Sequence, residues 1–508
     1  MQAALHRLRA DLWMPAAGLA ASATVLTLYL LAAGRKPLVA ILGSAALIAA
    51  LYLCGNPRLL ALWGFGLTLP FDLSKRLGPY IEKMGGETAF RIEISDVFLA
   101  LLTAFLIQDV WTGRRTRLLI PKITWIWLAI FALGLISLAQ GPFRLTVAHE
   151  LARMLKVLVL FLVLANELQT PHRILHCCGG ILLGTLVQSV AGITQFFLRK
   201  HFGLDLLGET GAGTLKQLAD ESLRTERAFR AGAFMNHPNI FGCFLAIVIP
   251  LAVVLVLGHT SLRYKLYALL CAGLGTAALI ATMSRSGWLS CAVSLTTAVI
   301  LMILHQGSRQ RSLLALLAAT AVLAVIGAFF ADRIMTRLFE SKEGAMRSRY
   351  EYIRTATRMI ERKPVLGWGL NTYVWHAYAF TTEGARAARE RYKQWLPPVH
   401  NIYYLWTAEL GLTGLFIHLW LFAAILWSSV RNFPVRHPLL FAINLACFAG
   451  MLAILTDGFF SFTWRINSIM RIFWVNAAMV MAIQSWRLRH QVRCGAPPEP
   501  LTNQAGGS

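Results

Sequence analysis

Apolar runs of about 17 to 25 residues recur along this chain from near residue 12 to residue 485, and each is long enough as helix to cross roughly 30 Å of hydrocarbon. A soluble fold cannot bury so many helices that are apolar on every side. The expected spans lie near 13–33, 37–54, 58–72, 95–111, 120–140, 149–167, 174–197, 238–257, 265–283, 287–305, 312–331, 401–428, 438–456 and 467–485, with 58–72 the shortest. The predicted fold class is therefore all-α: a polytopic integral membrane protein with about 14 transmembrane helices (12–14). Composition agrees, since 57% of the 508 residues are apolar, 14% are charged and the mean hydropathy is +0.58. The first run follows HRLRAD, exceeds a secretory core in length and ends in no small-residue cleavage site, so it reads as a retained helix.

Seven of the eight cysteines (Cys54, Cys177, Cys178, Cys243, Cys271, Cys291, Cys447) fall in these runs, and Cys494 is in the tail. They have neither disulfide nor metal-site spacing and read as packing residues. The formal charge of +24 calls for anionic partners. Spanning helices favour lipid headgroups or a phosphorylated substrate over nucleic acid.

Lys and Arg in short loops mark the cytoplasmic side. Arg7 and Arg9, Arg114 to Lys122, Arg263 with Lys265, Arg309 with Arg311, Arg431 with Arg436, and Arg487 to Arg493 all fall on one side when the helix number is even. Only the GRKP turn at 34–37 resists, and both termini are then cytoplasmic. The opposite side receives 199–237, the turn at 283–287, the long stretch 332–400 and the turn at 457–465. The loop 332–400 carries 13 Lys/Arg against 7 Asp/Glu, a net +6. As amphipathic helices it would rest on outer headgroups, and its charge equally suits an anionic ligand.

Four stretches on that side carry unusual residues. In AFRAGAFMNHPNIFG (228–242), Asn236 suits a cap and Pro238 a first helical turn, which brings Arg230 and His237 to the mouth of a helix; a plain cap does not need Arg230. In ATMSRSGWLS (281–290), Arg285 stands between two apolar helices, where an arginine costs a few kcal/mol unless it snorkels or has a task. In RYEYIRTATRMIERKPVLGWGLNTY (349–373), Ile353, Ala356 and Ile360 follow Arg349 at helical spacing, and a Gly-Trp-Gly turn stops the helix. In PPVHNIYYLWTAELGLTGL (397–415), Pro397 and Pro398 fix an extended approach to His400-Asn401, which starts a helix. A lone histidine at a helix start is usually a cap or a surface residue. Here it shares one membrane face with three arginines from distant parts of the chain.

The ordered set R-x-G-x-F-x-x-H-P-N, S-R-S-G-W, R with P-V-L-G-W-G-L, and H-N with E-x-G-L-x-G-L, over roughly 228–480, resembles the O-antigen ligase and O-antigen polymerase family of bacterial envelope glycosyltransferases. The resemblance implies a GT-C type glycosyltransferase of the bacterial inner membrane with a periplasmic active site. Its donor would be a glycan on a polyprenyl (undecaprenyl) diphosphate. The acceptor would be the lipid A core for a ligase, or a carrier-linked glycan for a polymerase of O-antigen or exopolysaccharide, the two standing nearly level. Carried over by motif, Arg230, Arg285 and Arg349 would hold the diphosphate, His400 with Asn401 would serve the acceptor, and Glu409 would be a buried partner that fixes the site.

Physical chemistry agrees with those roles. Cleaving a sugar from a diphosphate builds negative charge on the leaving group, and fixed cations stabilise it most where water is scarce. Each guanidinium near 4 Å contributes roughly 4 kcal/mol gross at an effective dielectric near 20. No acidic cluster has hard-metal spacing on that side, so neither a cofactor nor a metal is expected. His400 as neutral imidazole would take the proton of an attacking hydroxyl, or only orient it. Arg153 and Lys156, one turn apart, would contact the carrier phosphate, snorkel, or pair with Glu150, and Arg471 is expected to pair with Asp457. Expected divisions are 1–227 (N-terminal helices and outer loop), 228–485 (core with periplasmic loop 332–400) and 486–508 (basic, partly disordered tail). The rival reading is a lipid-linked oligosaccharide transporter or flippase, which would show inverted repeats and helices broken near the midplane.

Overall fold

The computed structural model describes residues 22–27, 30, 55–81, 87–204, 209, 229–258, 261–305, 343–382 and 398–493. The expected spans at 13–33, 37–54 and 312–331 lie outside these apart from 22–27 and 30, as do Pro397, the inner loop at 309–311, most of 205–228 and the tail from 494.

The chain is an all-α polytopic membrane protein with one small hairpin. Its described elements are α1 (Pro57–Thr68), β1 (Ser74–Leu77), β2 (Phe90–Glu93), α2 (Ile94–Trp111), α3 (Ile123–Ser137), α4 (Arg144–Glu167), α5 (Pro171–Leu198), α6 (Pro238–Leu257), α7 (Leu262–Ala281), α8 (Arg285–His305), α9 (Glu343–Arg362), α10 (Tyr373–Phe380), α11 (Ile402–Arg431), α12 (Pro438–Gly458) and α13 (Asn467–Arg493). Eight of the described helices (α2, α5, α6, α7, α8, α11, α12 and α13) are long and apolar enough to cross a membrane. Each expected span from 95–111 onward that falls on described residues coincides with a helix. The 58–72 span is corrected: α1 has 12 residues, about 18 Å of helix, and the chain then turns into the hairpin.

Local chemistry sets the helix starts. Asn56, Thr170, His237 and Asn401 each accept a backbone N–H of the following turn, and proline occupies the first turn of α1, α5 and α6. Packing follows from apolar surface and small residues. α6, α12 and α13 form the centre, with Phe241, Phe244, Phe473 and Trp474 fully buried. α7, α8 and α11 turn Leu266, Leu289, Phe416 and Trp420 outward, as lipid-facing helices do. Gly287 lets α8 cross α6 closely, since a Cβ there would stand 3.0 Å from the Gly242 Cα.

The hairpin was not expected from the helical periodicity. β1 and β2 pair antiparallel, with Ser74 opposite Glu93, and lead directly into α2. At the other end of the bundle, Arg58 bonds Asp109 at 2.9 Å and reaches Glu167 at 3.4 Å, while Arg173 reaches Glu167 at 3.3 Å. That cluster ties α1, α2, α4 and α5 together.

Candidate active site

The segment before α6 is pinned from below. Gln188 and Gln195 of α5 accept the backbone N–H groups of Phe234 and Ala233, both at 2.9 Å. Ala231 N–H donates to the Ala281 carbonyl at the end of α7. Within this frame Arg230 donates from Nε to the Thr282 carbonyl (3.0 Å) and from Nη2 to Asn239 Oδ1 (2.6 Å). The expected cap is corrected: Asn236 takes a left-handed conformation (φ 65°) and donates to Asp72, while His237 Nδ1 caps α6 by accepting from Asn239 N–H at 3.1 Å. Asparagine tolerates that backbone region, and a cap needs an extended one.

The turn between α7 and α8 brings the second arginine to the same end. Met283 adopts φ 51°, Ser284 Oγ donates to Asn239 Oδ1 at 3.2 Å, and Arg285 opens α8 on the exposed side. Ser286 lies within hydrogen-bonding range of Ser284 at 3.3 Å, and Asp457 at the end of α12 accepts from Thr463. α9 supplies Arg349, also exposed. Neither Arg285 nor Arg349 has a hydrogen bond or ion pair among the described residues. Burial and the Arg285 charge hold the Arg349 pKa below its usual value, so two unpartnered cations face one region.

His400 completes the group. Pro398 and Val399 are buried before it, and Asn401 Oδ1 accepts from Tyr403 and Tyr404 N–H (3.0 and 3.1 Å) while its Nδ2 donates to the Phe459 carbonyl at 3.2 Å. Asn401 is thus a helix cap that sets His400. The imidazole packs against Phe462 (5.4 Å) and Tyr352 (6.0 Å between centroids), and its buried Nδ1 has no partner among the described residues. Burial and then the Arg349 charge push its pKa down to about 4. His237 is held near 4 by the protein around it, by Arg230 and by His400. Charge coupling thus links Arg285 to Arg349, Arg349 to His400, and His237 to both His400 and Arg230 at one end of the bundle. α6, α8 and α11 all begin there, and their N-terminal dipole ends add positive potential.

The other expected site residues lie in a buried ionic network behind this group. Arg153 pairs with Glu150 and donates to the Arg465 carbonyl at 2.6 Å. Lys156 bonds Asp96 (2.8 Å) and Glu93 (3.1 Å), and both cations line a small cavity with His149 and Phe90. Glu409 pairs with Arg465 and accepts from the N–H groups of Asn371 (3.0 Å) and Tyr373 (3.1 Å). The expected Arg471–Asp457 pair does not form: Arg471 bonds Glu93 at 3.1 Å and Ser95 at 2.5 Å. Sequence reading missed Asn239, Glu93, Arg465 and Phe462 as members of this architecture, while the expected pairing of Arg153 with Glu150 does form. Only Asn239 carried a signal, because it stands in the quoted H-P-N. Among the described residues no three His, Cys, Asp or Glu side chains are grouped as a metal site.

The fold defines a multi-pass helical membrane protein with arginines and histidines gathered at one end of the bundle. Residues 267–419, less than a third of the chain, match the family model described as O-antigen ligase. The matched segment contains Arg285, Arg349, His400, Asn401 and Glu409 and leaves out Arg230, His237, Arg153 and Lys156. The match supports a glycosyl-transferring function in O-antigen biosynthesis. No curated protein matches the chain.

Proposed function

We propose that this protein is a metal-independent GT-C type glycosyltransferase that moves a saccharide from a polyprenyl diphosphate to an acceptor hydroxyl at the periplasmic face of the inner membrane. One observation carries the reading: among the described residues Arg285 and Arg349, from separate segments, lack partners while their charges meet beside His400, whose buried Nδ1 has no partner there either. A diphosphate supplies an anion for these cations, and guanidinium forks suit its paired oxygens.

In the reaction, the acceptor oxygen bonds to the anomeric carbon and the bond from that carbon to the diphosphate oxygen breaks. The electron pair leaves on the diphosphate, where Arg230, Arg285 and Arg349 stabilise it. The hydroxyl proton passes to His400 Nδ1. A pKa near 4 keeps that ring neutral in the free protein, and the arriving diphosphate offsets the Arg349 charge that depresses it. Arg153, Lys156 and Glu409 act at one remove, by holding the segments that present these groups. Membrane lipids bathe the outward faces of α7, α8 and α11. The acceptor is a lipid A core for a ligase or a carrier-linked glycan for a polymerase.

A transporter is the reading to separate. α11, within the expected span 401–428, does break, at Gly411 (φ 70°, ψ −174°). The remaining Leu412–Arg431 part still has about 30 Å of helix, which puts the break at the membrane boundary rather than the midplane. The test is purified protein with glycan-charged polyprenyl diphosphate and acceptor in detergent. Glycosidic transfer supports the enzyme; movement of intact donor across a vesicle bilayer without bond cleavage overturns it. A deletion strain then separates the acceptors: uncapped lipid A core with free long polymer means ligase, and single repeats on the core mean polymerase.

A further inference from the structure

We propose that Asn239 belongs to the donor site itself: its amide oxygen sets the Arg230 guanidinium, and its amide nitrogen donates to an oxygen of the diphosphate. The inference rests on the donor reading above and extends it to a residue outside the matched segment.

The orientation of the amide is fixed by chemistry. An arginine cannot accept a hydrogen bond, so the atom of Asn239 that receives Arg230 Nη2 at 2.6 Å must be the oxygen. Ser284 Oγ donates to the same oxygen at 3.2 Å. The –NH2 group is then turned away from the guanidinium, and it has no partner among the described residues although Asn239 is half-buried. Its two N–H bonds stand beside the Arg230 guanidinium. The backbone adds to this, because Asn239 N–H donates to His237 Nδ1 and so fixes the neighbouring imidazole.

The choice of an amide over a carboxylate is the informative part. The Thr282 carbonyl and the Asn239 amide, which accept from Arg230 Nε and Nη2, are neutral. An aspartate would hold Arg230 and Ser284 equally well, since both bonds end on Oδ1, yet it would place a negative charge on the guanidinium and remove both N–H donors. A merely structural Asn239 tolerates aspartate, whereas a donor-contacting Asn239 does not.

The probe is glycan-free undecaprenyl diphosphate, titrated into purified full-length protein in nanodiscs, with thermal midpoint measured in parallel. Asn239→Asp is expected to keep the wild-type midpoint and to weaken binding at least tenfold; Asn239→Ala is expected to weaken it less, because no repulsive charge is introduced. Wild-type affinity in Asn239→Asp overturns the proposal, as does a loss in Asn239→Asp that merely follows a lowered midpoint. If the wild type binds but transfers no glycan, the enzyme reading fails while the Asn239 result stands. A wild type that does not bind the probe overturns both.

Discussion

His400 and His237 are imidazoles crowded by protein and by guanidinium charge, and both are held near pKa 4 instead of the usual 6.5. The sign matters. Above about pH 6.5 neither state of the chain protonates them, so they cost no stability there; as pH falls from 6.5 toward 4 the unfolded chain binds protons that the folded one refuses, and stability declines. For catalysis the same shift keeps His400 able to accept a proton well below pH 6.5. The acid limb of kcat/KM, which reports the free protein, should therefore be flat from pH 8 to about 5 and fall only below that. An inflection near 6.5 would mean that His400 is not the titrating base. The positions of Arg230, Arg285, Arg349 and His400 were legible because each is chemically out of place beside apolar helices. The cap at His237 was not legible, because the left-handed turn of Asn236 depends on Asp72, far away in the chain.

Among the elements, α11 best joins local sequence to site geometry. Its first nine residues, Ile402 to Leu410, carry the His400 end, and Gly411 then breaks the helix. The PVLGWGL stretch threads into the break: Leu412 N–H donates to the Pro364 carbonyl at 2.7 Å, and the Trp368 and Gly369 N–H groups donate to the Ala408 and Glu409 carbonyls at 3.0 and 2.8 Å. A Cβ at Gly411 would collide with the Val365 carbonyl, and its backbone lies where only glycine is unstrained. Gly411→Ala should therefore destabilise the protein by about 3 kcal/mol or more, read as a lowered thermal midpoint of detergent-purified protein. An unchanged midpoint would mean that the break relaxes freely. Helix lengths were legible because hydrocarbon thickness fixes them. The break was not, since E-x-G within an apolar run reads locally as helix and the strands of contact that oppose it come from residues 364–369.

Across the whole molecule, buried charges bind the two halves of the chain. Glu93 joins Lys156 and Arg471, Glu150 joins Arg153, and Arg465 joins Glu409 and donates to Asn371 Oδ1 at 3.0 Å. Asn467 Nδ2 reaches Glu87 beside the hairpin at 2.9 Å. Removing one member leaves its partners charged in a buried site, which costs far more than the pair contributes. Arg465→Ala should thus lose about 3–5 kcal/mol of stability, seen as a lowered midpoint, whereas an exposed control such as Arg354→Ala should lose almost none. Equal midpoints for the two would contradict this role for the network. Of these pairings only Glu150–Arg153, neighbours on one helix, was readable in sequence; the others join distant segments and leave no periodic trace, which is why Lys156 looked available to a ligand and Arg471 looked like the partner of Asp457. The central claim is that arginines from separate segments grip one diphosphate. It is tested most directly by binding of undecaprenyl diphosphate and of uncharged undecaprenol to the wild type, Arg285→Ala and Arg349→Ala. Each substitution should weaken diphosphate binding at least tenfold and leave undecaprenol binding unchanged; substitutions that alter both lipids equally, or neither, would contradict it.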